Sequence, residues 1–125
     1  MQKDKDPVLD ALKTASKGLQ FPSETDADFE PFAWAGGHTL TQNRLLELAG
    51  AEEGTTVEQT SLADLFRVIP SEDRPRFDKL AQALQQLLSG VKVYQVGDEP
   101  EKEAYIVGKA PDGRWGGLKT TVVET

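Results

Sequence analysis

The spacing of apolar residues changes at Gly90, and this change limits the possible folds more than any other feature of the chain. Before Gly90, apolar residues of segment 73–89 recur every three to four positions, which predicts an amphipathic helix. After Gly90, three segments alternate with a period of two, which predicts strands. These strands are expected at 91–96, 103–109 and 115–124, with a tight turn at Pro111-Asp-Gly113.

The part of the chain before residue 73 predicts shorter elements from its capping and turn residues. They are helices bounded by Asp6 and Gly18, by Thr41 and Gly50, and by Ser61 and Pro70, and strands at 29–34 and 55–59. Pro31 cannot donate a ladder hydrogen bond, so its strand is expected at a sheet edge. We therefore predict one α+β domain over residues 1–125, in which an antiparallel sheet of about four or five strands is sandwiched between helices in an α/β/α arrangement.

The residue types present argue against several kinds of site. The 125 residues include no cysteine and a single histidine, His38, which excludes disulfide frameworks and zinc fingers and makes a Ser–His–Asp triad very hard to build. No apolar run is long enough to span a membrane, and the N-terminal sequence lacks the apolar core of a signal peptide. We therefore expect a cytoplasmic protein. Its net charge of −7 disfavours direct binding to nucleic acid.

The excess of acidic residues is confined to residues 18–60. This segment has eight carboxylates and one basic residue, Arg44, whereas the flanking segments are nearly neutral. Four of the carboxylates lie within 21–30, where no basic residue occurs. One interpretation is a solvated acidic loop that aids solubility. The other is a docking surface for a positively charged partner.

Motifs for catalysis or cofactor binding do not appear in the sequence. Its glycine pairs match neither a dinucleotide-binding fingerprint nor a P-loop, and its carboxylate pairs belong to no motif. His38, beside two glycines, is interpreted as an exposed turn residue. We expect no enzyme, no cofactor and no metal site of its own. The aromatic residues that alternate with polar ones are expected to pack on the sheet; they are Phe32, Trp34, Tyr94, Tyr105 and Trp115.

Two regions of the sequence resemble the nuclease A inhibitor (NuiA-like) family. The first contains Ser23-Glu24 and then Phe29-Glu-Pro-Phe-Ala-Trp34, and the second ends with Thr121-Val-Val-Glu-Thr125. The resemblance covers residues 9–34 and 77–125. It implies a sheet between helices, and it implies an inhibitor of sugar-non-specific endonucleases, which have a ββα-metal active site.

The same resemblance implies which residues contact the nuclease. Glu24 matches a glutamate that reaches arginines of the active-site cleft, and Thr125 matches a terminal threonine whose hydroxyl and carboxylate lie near the catalytic Mg²⁺, bridged by water. Ser23 and Glu124 complete these two contact segments. The family also has an Asp-Trp pair in its central loop. This chain lacks that tryptophan, and Glu72 or Asp73 is the candidate acidic replacement.

The expected partner is thus a non-specific endonuclease of the ββα-metal class in a 1:1 complex, and the free chain is expected to be a monomer without membrane or nucleic-acid binding. An alternative is an interaction module of the same fold that binds a different basic partner and inhibits no nuclease. A metal-dependent hydrolase is a third hypothesis, which turnover by the isolated chain would reveal.

Overall fold

An antiparallel sheet of five strands organises the chain. The computed structural model describes residues 7–22, 26–36, 39–98 and 100–123, and within these ranges it contains four α-helices and seven strands. The helices are α1 (Pro7–Ser16), α2 (Gln42–Ala49), α3 (Leu62–Leu65) and α4 (Arg74–Leu87). The strands are β1 (Gln20–Phe21), β2 (Ala27–Asp28), β3 (Glu30–Trp34), β4 (Val57–Thr60), β5 (Ser89–Val96), β6 (Glu101–Lys109) and β7 (Trp115–Val123).

The strand order of the main sheet is β3-β7-β6-β5-β4, and every neighbouring pair is antiparallel. The predicted meander of the last three strands is confirmed as β5–β6–β7. β3 lies at an edge, as Pro31 predicted, and its first residue, Glu30, is opposite Lys119 of β7. β1 and β2 pair only with each other, as a short hairpin.

Local capping groups explain where several helices begin and end. The hydroxyl of Thr41 accepts a 3.1 Å hydrogen bond from the backbone amide of Arg44, and Gly50 ends α2 with a left-handed φ of 76°. Ser61 caps α3 in the same way, through the amide of Asp64. These predicted caps are confirmed. The cap predicted at Asp6 lies outside the described residues.

Each face of the sheet carries its own hydrophobic core. The first face packs against α1, α3 and α4, and its fully buried side chains include Phe21, Leu12, Leu80, Leu84, Ile106 and Leu118. The second face packs against α2, whose Leu45 and Leu46 contact a cluster that includes Tyr94, Tyr105 and Val107. Because helices cover both faces, the predicted α+β fold with α/β/α layers is confirmed.

Two local predictions require correction or detail. α4 ends at Leu87 and β5 starts at Ser89, earlier than predicted, because a bulge at Gly90 (φ 62°) lets the chain join the sheet two residues sooner. The β1–β2 hairpin was not predicted, since each of its strands has only two residues. No helix within the described ranges is long and apolar enough to cross a lipid bilayer.

Candidate functional site

Four of the six predicted contact residues lie outside the described residues. They are Ser23, Glu24, Glu124 and Thr125, and His38 is also outside. Their proposed roles therefore stay predictions. The structure does describe the elements that lead into these segments, together with Glu72 and Asp73, and their arrangement defines a candidate surface.

The β1–β2 hairpin is the element from which segment 23–25 extends. Gln20 pairs with Asp28 and Phe21 pairs with Ala27 in an antiparallel register. The side-chain amide of Gln20 also donates a 2.8 Å hydrogen bond to Oδ1 of Asp28. Phe21 is buried, and its ring meets that of Phe29 edge to face at 6.5 Å. The chain is thus anchored on both sides of Glu24.

The last part of β7 lies beside this hairpin. Thr120 is 2% exposed, and its hydroxyl donates a 3.4 Å hydrogen bond to the carbonyl oxygen of Ala27. β7 continues to Val123, which is opposite Glu101 of β6, and the preceding Val122 is buried. The chain that leads into Glu124 and Thr125 is therefore held in the sheet, next to the strands that flank Glu24.

A row of aromatic rings brings the start of α4 to the same end of the domain. Phe77, in the first turn of α4, contacts Phe29 at 6.2 Å and Phe66 at 5.2 Å between ring centroids. Phe66 belongs to a short 3-10 turn after α3, and a second such turn, Ser71–Asp73, precedes α4. The segment that carries Glu72 and Asp73 directly precedes α4, whose first turn packs on Phe29 next to the hairpin.

Arg74 holds the loop between α3 and α4 together. Its Nε donates to the carbonyl oxygen of Ile69 at 3.5 Å, and its Nη2 donates to that of Arg67 at 3.3 Å. Val68 lies between these two acceptors in the sequence. It is a large hydrophobic residue, and 60% of its surface is exposed. The sequence analysis named the acids of this loop but not Val68, although Val68 falls off the apolar stripe of its neighbours, which was an available signal.

The two candidate acids of this loop differ in their partners. Asp73 forms an ion pair with Arg76, with 3.3 Å between Oδ1 and Nη2. Glu72 is exposed, and no basic nitrogen of the described residues lies within 4.0 Å of its carboxylate. Glu72 is therefore the acid of this pair whose charge is available to a partner.

The hairpin side of the surface is acidic. Asp26, Asp28 and Glu30 are all exposed. Considering only the described part of the chain, no lysine or arginine forms an ion pair with any of them. This part of the chain also contains no group of three or more His, Cys, Asp or Glu side chains able to hold a metal ion. The arrangement is chemically suited to binding cationic side chains such as arginine.

The chain was compared with known proteins in two ways. A comparison with curated proteins gives no match. The family model described as nuclease A inhibitor-like protein (NuiA) matches residues 6–125, nearly the whole chain. The family predicted from the sequence is confirmed, and it supports a nuclease-inhibitor role in general terms. The chain belongs to the nuclease A inhibitor-like family.

Proposed function

We propose that the protein inhibits a sugar-non-specific DNA/RNA endonuclease of the ββα-metal class by covering its active site in a 1:1 complex. In this proposal, the carboxylate of Glu24 binds arginines of the cleft, while the hydroxyl and α-carboxylate of Thr125 face the nuclease's catalytic Mg²⁺ through water. These oxygen groups take the contacts that a phosphate of the substrate would use. Inhibition then needs no chemical reaction. Family membership supports the inhibitory role.

The observation that carries the proposal is the hydrogen bond from Thr120 to the carbonyl of Ala27. The β1–β2 hairpin leads into segment 23–25, and β7 leads into residues 124–125. This bond helps to hold side by side the two elements from which the proposed contact segments extend. Anchoring both elements before binding reduces the entropy lost on association, which favours tight inhibition.

The charge of the hairpin supports a positively charged partner. Asp26 and Asp28 are exposed beside the proposed contact segments. An active site that binds nucleic-acid phosphates is lined with positive charge. A carboxylate surface on the inhibitor therefore accelerates association with the nuclease and orients the two proteins. The same acidity disfavours direct binding of nucleic acid by the inhibitor itself.

Glu72 is proposed as a further contact, ahead of Asp73. The carboxylate of Asp73 is already paired with Arg76 at 3.3 Å, whereas Glu72 is exposed. Ser23 and Glu124 are proposed as polar contacts next to Glu24 and Thr125. In the free state we propose a monomer.

The test is a titration of the purified protein against a ββα-metal nuclease, with the initial rate of DNA hydrolysis as the measurement. We expect stoichiometric inhibition. Glu24→Ala and deletion of Thr125 are each expected to weaken it about thirtyfold or more, as for a hot-spot residue. Glu53→Ala is the matched control, because it removes the same charge from an exposed loop after α2.

A chain extended by one glycine after Thr125 tests the role of the α-carboxylate directly. The extension moves the terminal charge while leaving all 125 residues in place. We expect weakened inhibition. Undiminished inhibition by both this chain and Glu24→Ala would disprove the proposed mechanism. Binding to the nuclease without inhibition would instead favour the interaction module.

A further inference from the structure

A cleft of about 320 Å³ opens on the second face of the sheet, at the end remote from the β1–β2 hairpin. β5 and β7 begin at this end and β6 finishes there, whereas the hairpin lies beside the last part of β7. The cleft is therefore separate from the proposed nuclease-binding surface. Its lining residues are Thr39, Leu40, Ser89, Gly90, Lys92, Tyr94, Val107, Lys109 and Trp115.

The bulge in β5 and the short length of α2 create this space. In the ladder between β5 and β6, Ser89 is opposite Lys109 and Lys92 is opposite Val107, so β5 carries one extra residue between them. α2 begins only at Gln42 and packs on the other part of this face. The segment before α2 then forms one wall of the cleft, and the strands form its floor.

The walls are mainly apolar and include two aromatic rings. Val107 and Tyr94 are buried, at 2% and 7% exposure, while Trp115 and Leu40 are half-buried. Ligand pockets typically combine such apolar walls with a few polar groups, and volumes near 300 Å³ suit small molecules. Flat rings pack well against tyrosine and tryptophan in offset or edge-to-face geometry.

Two exposed lysines stand over these apolar walls. Nζ of Lys109 lies 5.8 Å from the centre of the Trp115 ring, within cation–π range, and Lys92 is the neighbour of Val107 across the ladder. Among the residues that the structure describes, no carboxylate lies within 4.0 Å of either lysine. In a protein with net charge −7, this is a local positive site. Charge complementarity therefore selects an anion.

We propose that this cleft binds a small organic anion that has a flat apolar ring and one acid group. The ring packs against Tyr94 and Trp115, and the acid group is held between Lys92 and Lys109. The hydroxyl of Ser89 is available as an additional donor to the acid. This function is independent of nuclease inhibition, because the two surfaces lie at opposite ends of the sheet.

The experiment is a titration of the isotope-labelled full chain with 1-naphthoate, followed by backbone and tryptophan side-chain amide signals in NMR spectra. We expect saturable shifts centred on Leu40, Tyr94 and Trp115. The neutral analogue 1-naphthalenemethanol keeps the ring and lacks the charge, and acetate keeps the charge and lacks the ring. Both are expected to bind more weakly than 1-naphthoate.

The matched variants separate a specific site from general attraction. Lys92→Gln/Lys109→Gln is expected to weaken 1-naphthoate binding about tenfold, whereas Lys13→Gln/Lys79→Gln, which changes the net charge equally from the outer side of α1 and α4, leaves it unchanged. Spectra of each free variant verify the fold. The proposal is overturned by the absence of saturable shifts at millimolar 1-naphthoate, by equal binding of the neutral analogue, or by undiminished binding to the Lys92/Lys109 variant.

Discussion

The hydroxyl of Thr120 donates a hydrogen bond of 3.4 Å to the carbonyl oxygen of Ala27, which lies 93 positions earlier in the chain. Thr120 is 2% exposed, so water competes little for this bond. The contact joins the β1–β2 hairpin to the final strand. The bond adds a directional polar contact to the packing of Phe21, Phe29 and Val122 in the same hydrophobic core.

Replacing Thr120 with valine is expected to loosen the hairpin while keeping the shape of the side chain. Loss of the bond costs about 1 kcal/mol of unfolding free energy and weakens nuclease inhibition. Hydrogen exchange of Phe21 and Ala27 amides, together with inhibition titrations, measures both effects. Thr121→Val is the matched control, since its hydroxyl bonds to Glu103 at 3.2 Å instead. Equal loss of inhibition in both variants would contradict a special role for Thr120.

The acidic hairpin is expected to control how fast the nuclease associates. Asp26→Asn/Asp28→Asn removes two exposed charges of the hairpin, beside the proposed contacts, so the association rate at low salt should fall several-fold. The difference from the unmodified protein should shrink as salt screens the charges. Stopped-flow association rates are the measurement. Glu52→Gln/Glu53→Gln, which removes two charges after α2, should have little effect; a comparable decrease there would favour a merely global charge effect.

Alanine substitutions at the two adjacent glycines of β7 are expected to lower the unfolding free energy by different amounts. A Cβ at Gly117 would collide with the carbonyl oxygen of Ile106, while a Cβ at Gly116 would lie 3.4 Å from the carbonyl oxygen of Phe32, an ordinary contact. Gly117→Ala is thus expected to cost about 1–3 kcal/mol through forced backbone shifts, and Gly116→Ala much less. Denaturant unfolding measures both. A similar loss for the two variants would argue against the close strand approach.

Because Tyr94 and Tyr105 are buried, we expect the unfolding free energy to fall at alkaline pH. Burial raises the pKa of Tyr94 above 10.0, and burial followed by the carboxylates of Glu103 and Glu30 raises the pKa of Tyr105. Above pH 10.0 the unfolded chain loses phenol protons that the folded chain retains. The unfolding free energy therefore declines as the pH rises further. Well below pH 10.0 both states keep these protons, so the two tyrosines cause no pH dependence there. Tyr105→Phe is expected to flatten this decline in denaturant unfolding series. If the unfolding free energy of Tyr105→Phe declined with pH as steeply as that of the unmodified protein, Tyr105 would not be the cause of the decline.

Elements with local signals were predictable from the sequence. Thr41 and Gly50 bound α2 because a hydroxyl cap and a left-handed glycine act within a few residues of their own position. The period-two pattern predicted the β5–β6–β7 meander, and Pro31 predicted an edge strand.

Features that depend on distant contacts were not predictable in the same way. The β1–β2 hairpin has two residues in each strand, too few for a periodic pattern, and it is held by Thr120 from the other end of the chain. The acidic excess in residues 18–60 indicated that the surface is negatively charged. The position of this segment next to α4 depends on the packing of Phe29 on Phe77, which the sequence does not reveal. The family resemblance predicted the family correctly, and the roles of Glu24 and Thr125 await the proposed assays.

The sheet order places β7 between β3 and β6, although β7 follows all the other described strands in sequence. Among the described strands, β3 pairs with β7 alone, and the hairpin bonds to the same strand. During synthesis on the ribosome, both elements must therefore wait until residues 115–123 have emerged before they acquire a place in the sheet. The surface proposed to block the nuclease can therefore assemble only after β7 has been synthesised. A translation product that stops before β7 is expected to be both inactive and prone to proteolysis.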